Sequence, residues 1–293
     1  MMQAEPGEVL CLGAAGFHTM RFVQWGDPAN PRVLVCAHGL TRTGRDFDRL
    51  ARALCAHTRV VCPDVVGRGR SDWLRDPAGY DIAQYASDMN ALFNALGVRE
   101  VDWLGTSMGG LIGMALAGQP GSPVRRLVLN DIGPRLELAA LQRIGAYVGQ
   151  APVFADLEQA VDLNIAIASG FGLRDRDEWR EATASVLRPV EGGGFTFHYD
   201  PAIGAPMRAL DAAKVAAGEA LAWKLYDAIA CPTLLLRGER SDLLSVEAAA
   251  LMQERGPRPR LVTIPGVGHA PMFFDPAQIA LVETFLAEGR AAA

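Results

Sequence analysis

The 293-residue chain lacks the marks by which several large protein classes show themselves. It has no run of about 18 apolar residues, so no membrane-spanning helix is expected. Its first residues, Met1 to Glu8, hold neither a positive cluster nor an apolar stretch, so no secretory leader is expected. Basic runs are missing: Arg125-Arg126 and Arg258-Pro-Arg260 are short, and the formal net charge is -5. Nucleic acid is therefore excluded as a partner, because neutralising phosphates takes a basic face. No two of the five cysteines, Cys11, Cys36, Cys55, Cys62 and Cys231, make a Cys-x-x-Cys pair. Cys36 and Cys62 fall in apolar runs, and the set reads as reduced core thiols of a cytoplasmic protein. There is no His-Glu-x-x-His and no grouping of Cys with His, so no metal is expected. Gly67-Arg-Gly-Arg-Ser71 has the glycines of a phosphate-binding loop but lacks Gly-Lys-Ser/Thr. No nucleotide or other cofactor is expected.

What is present centres on Val101-Asp-Trp-Leu-Gly-Thr-Ser107-Met-Gly-Gly-Leu-Ile-Gly113. Val101 to Leu104 has strand character, and Leu111 to Leu116 reads as a helix. A serine on so sharp a strand-to-helix turn is held in a strained backbone with its hydroxyl raised clear of the sheet. Gly105 and Gly109 flank Ser107 at two residues on either side, where side chains would collide. Gly109, Gly113 and Ala117 recur at i, i+4 and i+8 and leave one helix face without bulk. Gly-x-Ser-x-Gly alone is weak in a chain with 31 glycines. A serine also needs a base and a group to orient that base before it becomes a nucleophile.

Along the chain, strand runs alternate with helical patterns. Glu8 to Leu12 and His18 to Trp25 suggest a hairpin. Val33 to Ala37, Arg59 to Asp64, Val101 to Leu104 and Arg126 to Asp131 are apolar strand runs, with Phe47 to Ala56 and Ile82 to Leu96 as helices between them. Gly97 suits the end of the second helix. This alternation implies parallel strands and right-handed crossovers. From Gly133 to about Asp227 helical stretches dominate: Leu136 to Val148, Asp156 to Ala168, Asp177 to Val186 and Asp211 to Tyr226. Strands return at Pro232 to Gly238 and Arg260 to Ile264, before a closing helix at Pro276 to Leu286. The chain thus divides into an α/β core at residues 1–133 and 228–293 and a helical cap at 134–227. The alanine-rich tail after Leu286 is expected to fray.

Ligands of an open parallel sheet bind at the carboxyl ends of its strands. The polar residues there are His38, Asp64, Ser107, Asp131, Glu239 to Asp242, and His269. His269 lies in the glycine-rich Gly266-Val-Gly-His-Ala-Pro271 and is the favoured base. The orienting acid has three candidates. Asp242 can turn back over its strand end and is favoured; Glu239 is nearer the strand; Asp131 would hydrogen-bond backbone at the start of the cap.

With these motifs in hand the chain resembles the α/β-hydrolases, in particular their capped serine esterases, lactonases, C–C bond hydrolases and haloperoxidase-like members. His38-Gly39-Leu40, Gly67-x-Gly-x-Ser71, Gly105-Thr-Ser-Met-Gly109, Gly238-x-x-x-Asp242 and Gly268-His269 carry the resemblance over nearly the whole chain, in the order serine, aspartate, histidine. It implies a mostly parallel, doubly wound sheet with an inserted helical cap, and a catalytic set of Ser107, His269 and Asp242. It further implies an oxyanion hole from the backbone N–H groups of Leu40 and Met108, and a structural role for His38 in that loop. Serine rather than aspartate at the elbow argues against dehalogenation, and His-Gly-Leu-Thr against the His-Gly-Gly-Gly lipases. His38-Gly-Leu-Thr-Arg-Thr-Gly-Arg-Asp46 and His198-Tyr-Asp-Pro-Ala202 are similar to a bacterial esterase subgroup acting on short acyl esters and on aliphatic oligoesters or polyesters. The expected substrate is a small-molecule ester of that kind. A lactonase or C–C bond hydrolase for a carboxylate-bearing ring-cleavage product is the alternative, with Arg42 pairing the carboxylate, and a non-catalytic receptor on the same fold is the third reading. Candidate substrate contacts are His38, Arg42, and, in the cap, Phe154, Phe171, Trp179, Phe197, His198 and Met207.

Overall fold

The computed structural model describes residues 4–288. The chain opens with the hairpin β1 (Glu5–Gly13) and β2 (Gly16–Trp25), followed by β3 (Val33–Ala37), α1 (Asp48–Leu54) and β4 (Arg59–Pro63). Then come α2 (Ile82–Leu96), β5 (Val101–Thr106), α3 (Met108–Ala117) and β6 (Val124–Asn130). The next stretch holds α4 (Leu138–Tyr147), α5 (Leu157–Ala168), α6 (Arg176–Ala184), β7 (Leu187–Pro189), β8 (Phe195–Phe197), α7 (Gly204–Arg208) and α8 (Ala212–Asp227). The chain closes with β9 (Thr233–Gly238), α9 (Val246–Glu254), β10 (Arg260–Ile264) and α10 (Pro276–Ala287).

Eight strands form one sheet in the order β1-β2-β4-β3-β5-β6-β9-β10. Only β2 runs antiparallel to its neighbours; every other pairing from β4 to β10 is parallel. Every residue of β3, β4 and β9 is buried, which is why these strands read as unbroken apolar runs. Six of the helices start where the sequence places a capping side chain. Asp81, Asp156, Asp175, Asp211, Ser245 and Asp275 each accept from a backbone N–H in the first turn of α2, α5, α6, α8, α9 and α10. Gly97 ends α2 in the left-handed region at φ 68°. One core cluster lies on the sheet face covered by α2, α3 and α8, and a second lies under α1 and α10. Among the described residues no helix is long and apolar enough to cross a membrane.

The stretch between β6 and β9 departs from expectation in two ways. It is not purely helical: β7 and β8 pair as a small antiparallel ribbon, and Gly192 to Gly194, all at positive φ, turn between them. Nor does all of it belong to a cap. Trp223 and Tyr226 of α8 join the core, and the Leu225 carbonyl lies where a Cβ on Gly118 would stand, at 2.4 Å. The second half of α8 thus packs on α3 and on the core. Helix α9 is not announced by an apolar period and was not expected. The end of the alanine-rich tail, residues 289–293, lies outside the described residues.

Where α3 meets β3 there is no room for a side chain. A Cβ on Gly109 would stand 2.0 Å from the Ala37 carbonyl oxygen, and one on Gly105 would stand 2.2 Å from the Gly109 carbonyl. Backbone cannot retreat there as a flexible side chain could. Gly109→Ala is expected to lower unfolding free energy by about 3 kcal/mol or more, or to prevent folding; urea denaturation of the purified variant measures it.

Candidate active site

Ser107 sits between β5 and α3 with φ 52° and ψ -116°, a conformation that is costly for a residue with a Cβ. Its N–H donates to the Asn130 carbonyl, and its carbonyl accepts from the Gly110 and Leu111 N–H groups. The turn is thereby locked from both sides. His269 follows β10, and its Nε2 lies 2.9 Å from Ser107 Oγ. Its Nδ1 lies 2.8 Å from Asp131 Oδ2. Asp131 Oδ1 also accepts from the Gly238 N–H at 2.8 Å, and Oδ2 from Ser241 Oγ–H at 2.6 Å. Both carboxylate oxygens are thus acceptors, so Nδ1 of His269 carries the proton and Nε2 is free to accept from Ser107 Oγ–H.

The acid beside His269 is therefore Asp131, and the expectation of Asp242 is corrected. Asp131 is fully buried at the end of β6, with φ 56°. Its own N–H still bonds the Leu236 carbonyl of β9, which turns the side chain across the end of that strand. Asp242 follows Ser241 but points outward, half-exposed, into an ion pair with Arg143 at 2.7 Å. Glu239 accepts from the Gly266 N–H and anchors the loop leading to His269. Asn130 was also missed by sequence reasoning: its side chain donates to Thr106 Oγ1 and to the Pro271 carbonyl, tying the strand ends to the same loop. The available signal was an Asn-Asp pair closing a strand, since both types tolerate left-handed backbone.

His38 is wholly buried and does not line the cavity at Ser107, against its candidacy as a substrate contact. The Val65 N–H donates to its Nε2 at 2.9 Å, and its Nδ1–H donates to the Gly39 carbonyl at 2.7 Å. Burial is the main reason its pKa falls to about 3, so the imidazole is neutral. The Gly39 carbonyl also accepts from the Arg42 N–H. In a planar trans peptide N–H and C=O point opposite ways, so pinning that carbonyl sends the Leu40 N–H to the other side. Leu40, Ser107 and Met108 line one cavity of about 430 Å³. Among the described residues neither the Leu40 nor the Met108 N–H donates to a protein acceptor.

That cavity is overwhelmingly apolar, with Leu111, Ile144, Met207 and Leu225 among its walls. Met207 is the one cap candidate that lines it. Phe171 and Phe197 instead line a cleft of about 80 Å³ together with Arg42. Trp179 stacks behind Phe171 at 6.1 Å, and Phe154 packs edge-on against Phe197 at 5.3 Å, so both are cap core. His198 joins the cap to the 64–70 loop through its backbone, and burial lowers its imidazole pKa. Arg42 is committed: Nε and Nη2 grip Asp46, and Nη2 also donates to the Ala182 carbonyl. This leaves its fork poorly placed for a substrate carboxylate and removes the observation behind that alternative. The fold does bring Cys11, His18 and Asp88 together, against the expectation of no grouped Cys and His. His18 Nε2 lies 3.0 Å from Asp88 Oδ2, and none of the three lines the Ser107 cavity.

Residues 32–276 match the model of the alpha/beta hydrolase fold. The chain belongs to the α/β-hydrolase fold family. Within it, the chain is 53% identical over 289 residues to a 3-hydroxybutyrate-oligomer hydrolase of Cupriavidus necator, covering 97% of this chain and 99% of that one. It is 27% identical to a 2-(acetamidomethylene)succinate hydrolase of Mesorhizobium japonicum, over 81% of each chain. A crystal structure of an alpha/beta hydrolase from Novosphingobium aromaticivorans superposes with a TM-score of 0.84 at 35% identity, covering 98% of this chain and 99% of that one.

The two acids separate cleanly by substitution. Asp131→Asn should lower kcat by about 10⁴-fold, because an amide in that place favours the wrong imidazole tautomer. Asp242→Asn should leave kcat within about twofold and stability within about 0.5 kcal/mol, as for an exposed surface pair. Steady-state ester hydrolysis by the two purified variants decides between them.

Proposed function

We propose that this member of the family is a carboxylic ester hydrolase that cleaves short oligomers of 3-hydroxybutyrate through an acyl-enzyme on Ser107. The observation that carries the substrate is the 53% identity, end to end, with the Cupriavidus necator oligomer hydrolase. The cavity beside Ser107 supports it: an apolar channel suits a chain of methyl-bearing ester units, which offers no charge except at its carboxylate end.

In this reading Ser107 Oγ attacks the ester carbonyl as its proton passes to His269 Nε2. The resulting imidazolium is held by Asp131. The oxygen that becomes negative is met by the N–H groups of Leu40 and Met108. Collapse breaks the ester C–O bond, and His269 returns the proton to the leaving hydroxyl of the next unit. The 3-hydroxybutyryl group remains on Ser107. Water, deprotonated by the same Nε2, then attacks the acyl-enzyme and releases 3-hydroxybutyrate. A cytoplasmic location goes with this proposal, supported by five unpaired cysteines, four of them buried.

Ser107→Ala should reduce release of 3-hydroxybutyrate from the dimer and trimer by about 10⁴-fold or more. Equal monomer release by both proteins, measured by chromatography, would remove the acyl-enzyme.

Gly218 of α8 lines the cavity and has open space around it: a Cβ there would meet nothing within 4 Å. Gly218→Phe should therefore fold and fill the channel. Activity on p-nitrophenyl octanoate should fall by about tenfold or more while activity on the acetate is retained, since filling a pocket removes contacts only for the longer acyl chain. Parallel losses on both esters would place the acyl group elsewhere.

A further inference from the structure

The Gly67-Arg-Gly-Arg-Ser71 loop has no part in the mechanism above. Ser71 Oγ donates to the Asp64 carbonyl, and the Asp64 carboxylate accepts from the Gly44 and Arg70 N–H groups. The loop therefore wraps an acid of its own chain rather than a phosphate. Its two arginines go opposite ways: Arg70 is exposed, while Arg68 is completely buried. Every hydrogen-bond partner of Arg68 is neutral. Nε–H donates to the Leu40 carbonyl at 2.8 Å. Nη1–H groups donate to the Val66 carbonyl and to Tyr85 Oη, each at 2.8 Å, and Nη2–H reaches Met108 Sδ at 3.5 Å. The guanidinium lies over the rings of Tyr80 and Tyr85. Among the described residues it enters no salt bridge, unlike Arg42, whose charge is answered by Asp46.

A buried cation in contact with no carboxylate is unfavourable, and a guanidinium cannot shed its proton; Asp200 lies one ring away, where it accepts from Tyr80 Oη–H. Two of the four partners are Leu40 and Met108, the residues whose N–H groups are open to the cavity. Holding the Leu40 carbonyl fixes the peptide on the far side of that residue, while His38 fixes the one on the near side. We propose that Arg68 is a positioning residue for the oxyanion hole. It seats Leu40 and Met108 together, and the negative charge formed on the ester oxygen supplies a counter-charge that none of its direct partners gives. Its field already acts on this loop: after burial, the charge of Arg68 helps hold His38 at about 3. The proposal rests on the ester-hydrolysis reading.

The test compares wild type with Arg68→Met and Arg68→Lys on p-nitrophenyl butyrate. It also measures binding of a trifluoromethyl ketone, whose serine adduct places an oxyanion in the hole, and of butyrate as a ground-state ligand. Arg68→Met should lower kcat by about 10²-fold and Arg68→Lys by about tenfold, with KM within about twofold. Ketone affinity should weaken in proportion to kcat/KM while butyrate affinity stays level. Circular dichroism checks folding. If the Met variant does not fold, the Lys variant carries the test, since it keeps charge and bulk but loses the Nε–H on Leu40. Unchanged kcat in folded Arg68→Lys, or equal losses in ketone and butyrate binding, would overturn the proposal alone. A wild type that neither turns over the ester nor is labelled by a serine-directed phosphonate would overturn the ester reading and this proposal with it.

Discussion

The site depends on how closely the start of α3 lies on the end of β3. With no Cβ on Gly109, the helix backbone rests directly against the Ala37 carbonyl, and the Gly109 N–H bonds the His38 carbonyl. That single contact does two things. It forces Ser107 into its strained turn, and it joins the nucleophile to the loop that carries Leu40. The strain is held by the neighbouring strand as well, through the Ser107 N–H on Asn130. In the proposed mechanism an oxyanion hole needs donors that do not move as charge develops, and the Leu40 and Met108 N–H groups both sit on backbone locked by packing.

The second constraint is the carboxylate of Asp131. It gathers three donors: Gly238 at the end of β9, Ser241 just after it, and His269 after β10. A buried carboxylate needs that many partners to offset its lost hydration. The same bonds orient the imidazole, so satisfying the acid and aiming the base are one arrangement. Ser241 takes part in it; Asp242, one residue later, faces water and Arg143.

The cap meets this frame on both sides of the Ser107 cavity. Gly268 N–H donates to the Gly170 carbonyl, so the cap touches the His269 loop directly. Met207 and the first half of α8 close the apolar cavity on the other side. Most of the aromatic side chains of the insertion are occupied with one another, as Phe154 with Phe197 and Phe171 with Trp179 show. They build the cover, and aliphatic side chains from several elements line what lies beneath it.

The sequence by itself determined the sheet and its rhythm, the turn at Ser107 and the choice of His269 as the histidine that meets it. Each of these is written in residues close together in the chain: apolar runs, glycines two positions either side of a serine, capping aspartates before helices. The capped hydrolase family and its ester chemistry were legible for the same reason, since short motifs in fixed order carry them. Only the tertiary structure decided which acid lies beside His269, which cap side chains face the cavity, and that Arg68 is buried against Leu40 and Met108. Asp131 and Asp242 both follow neighbouring strands, and local pattern treats them alike. They are told apart by a left-handed turn at one strand end and by the reach of a histidine 138 residues away. Contacts of that kind depend on where distant segments come to rest, which no local run of residues records.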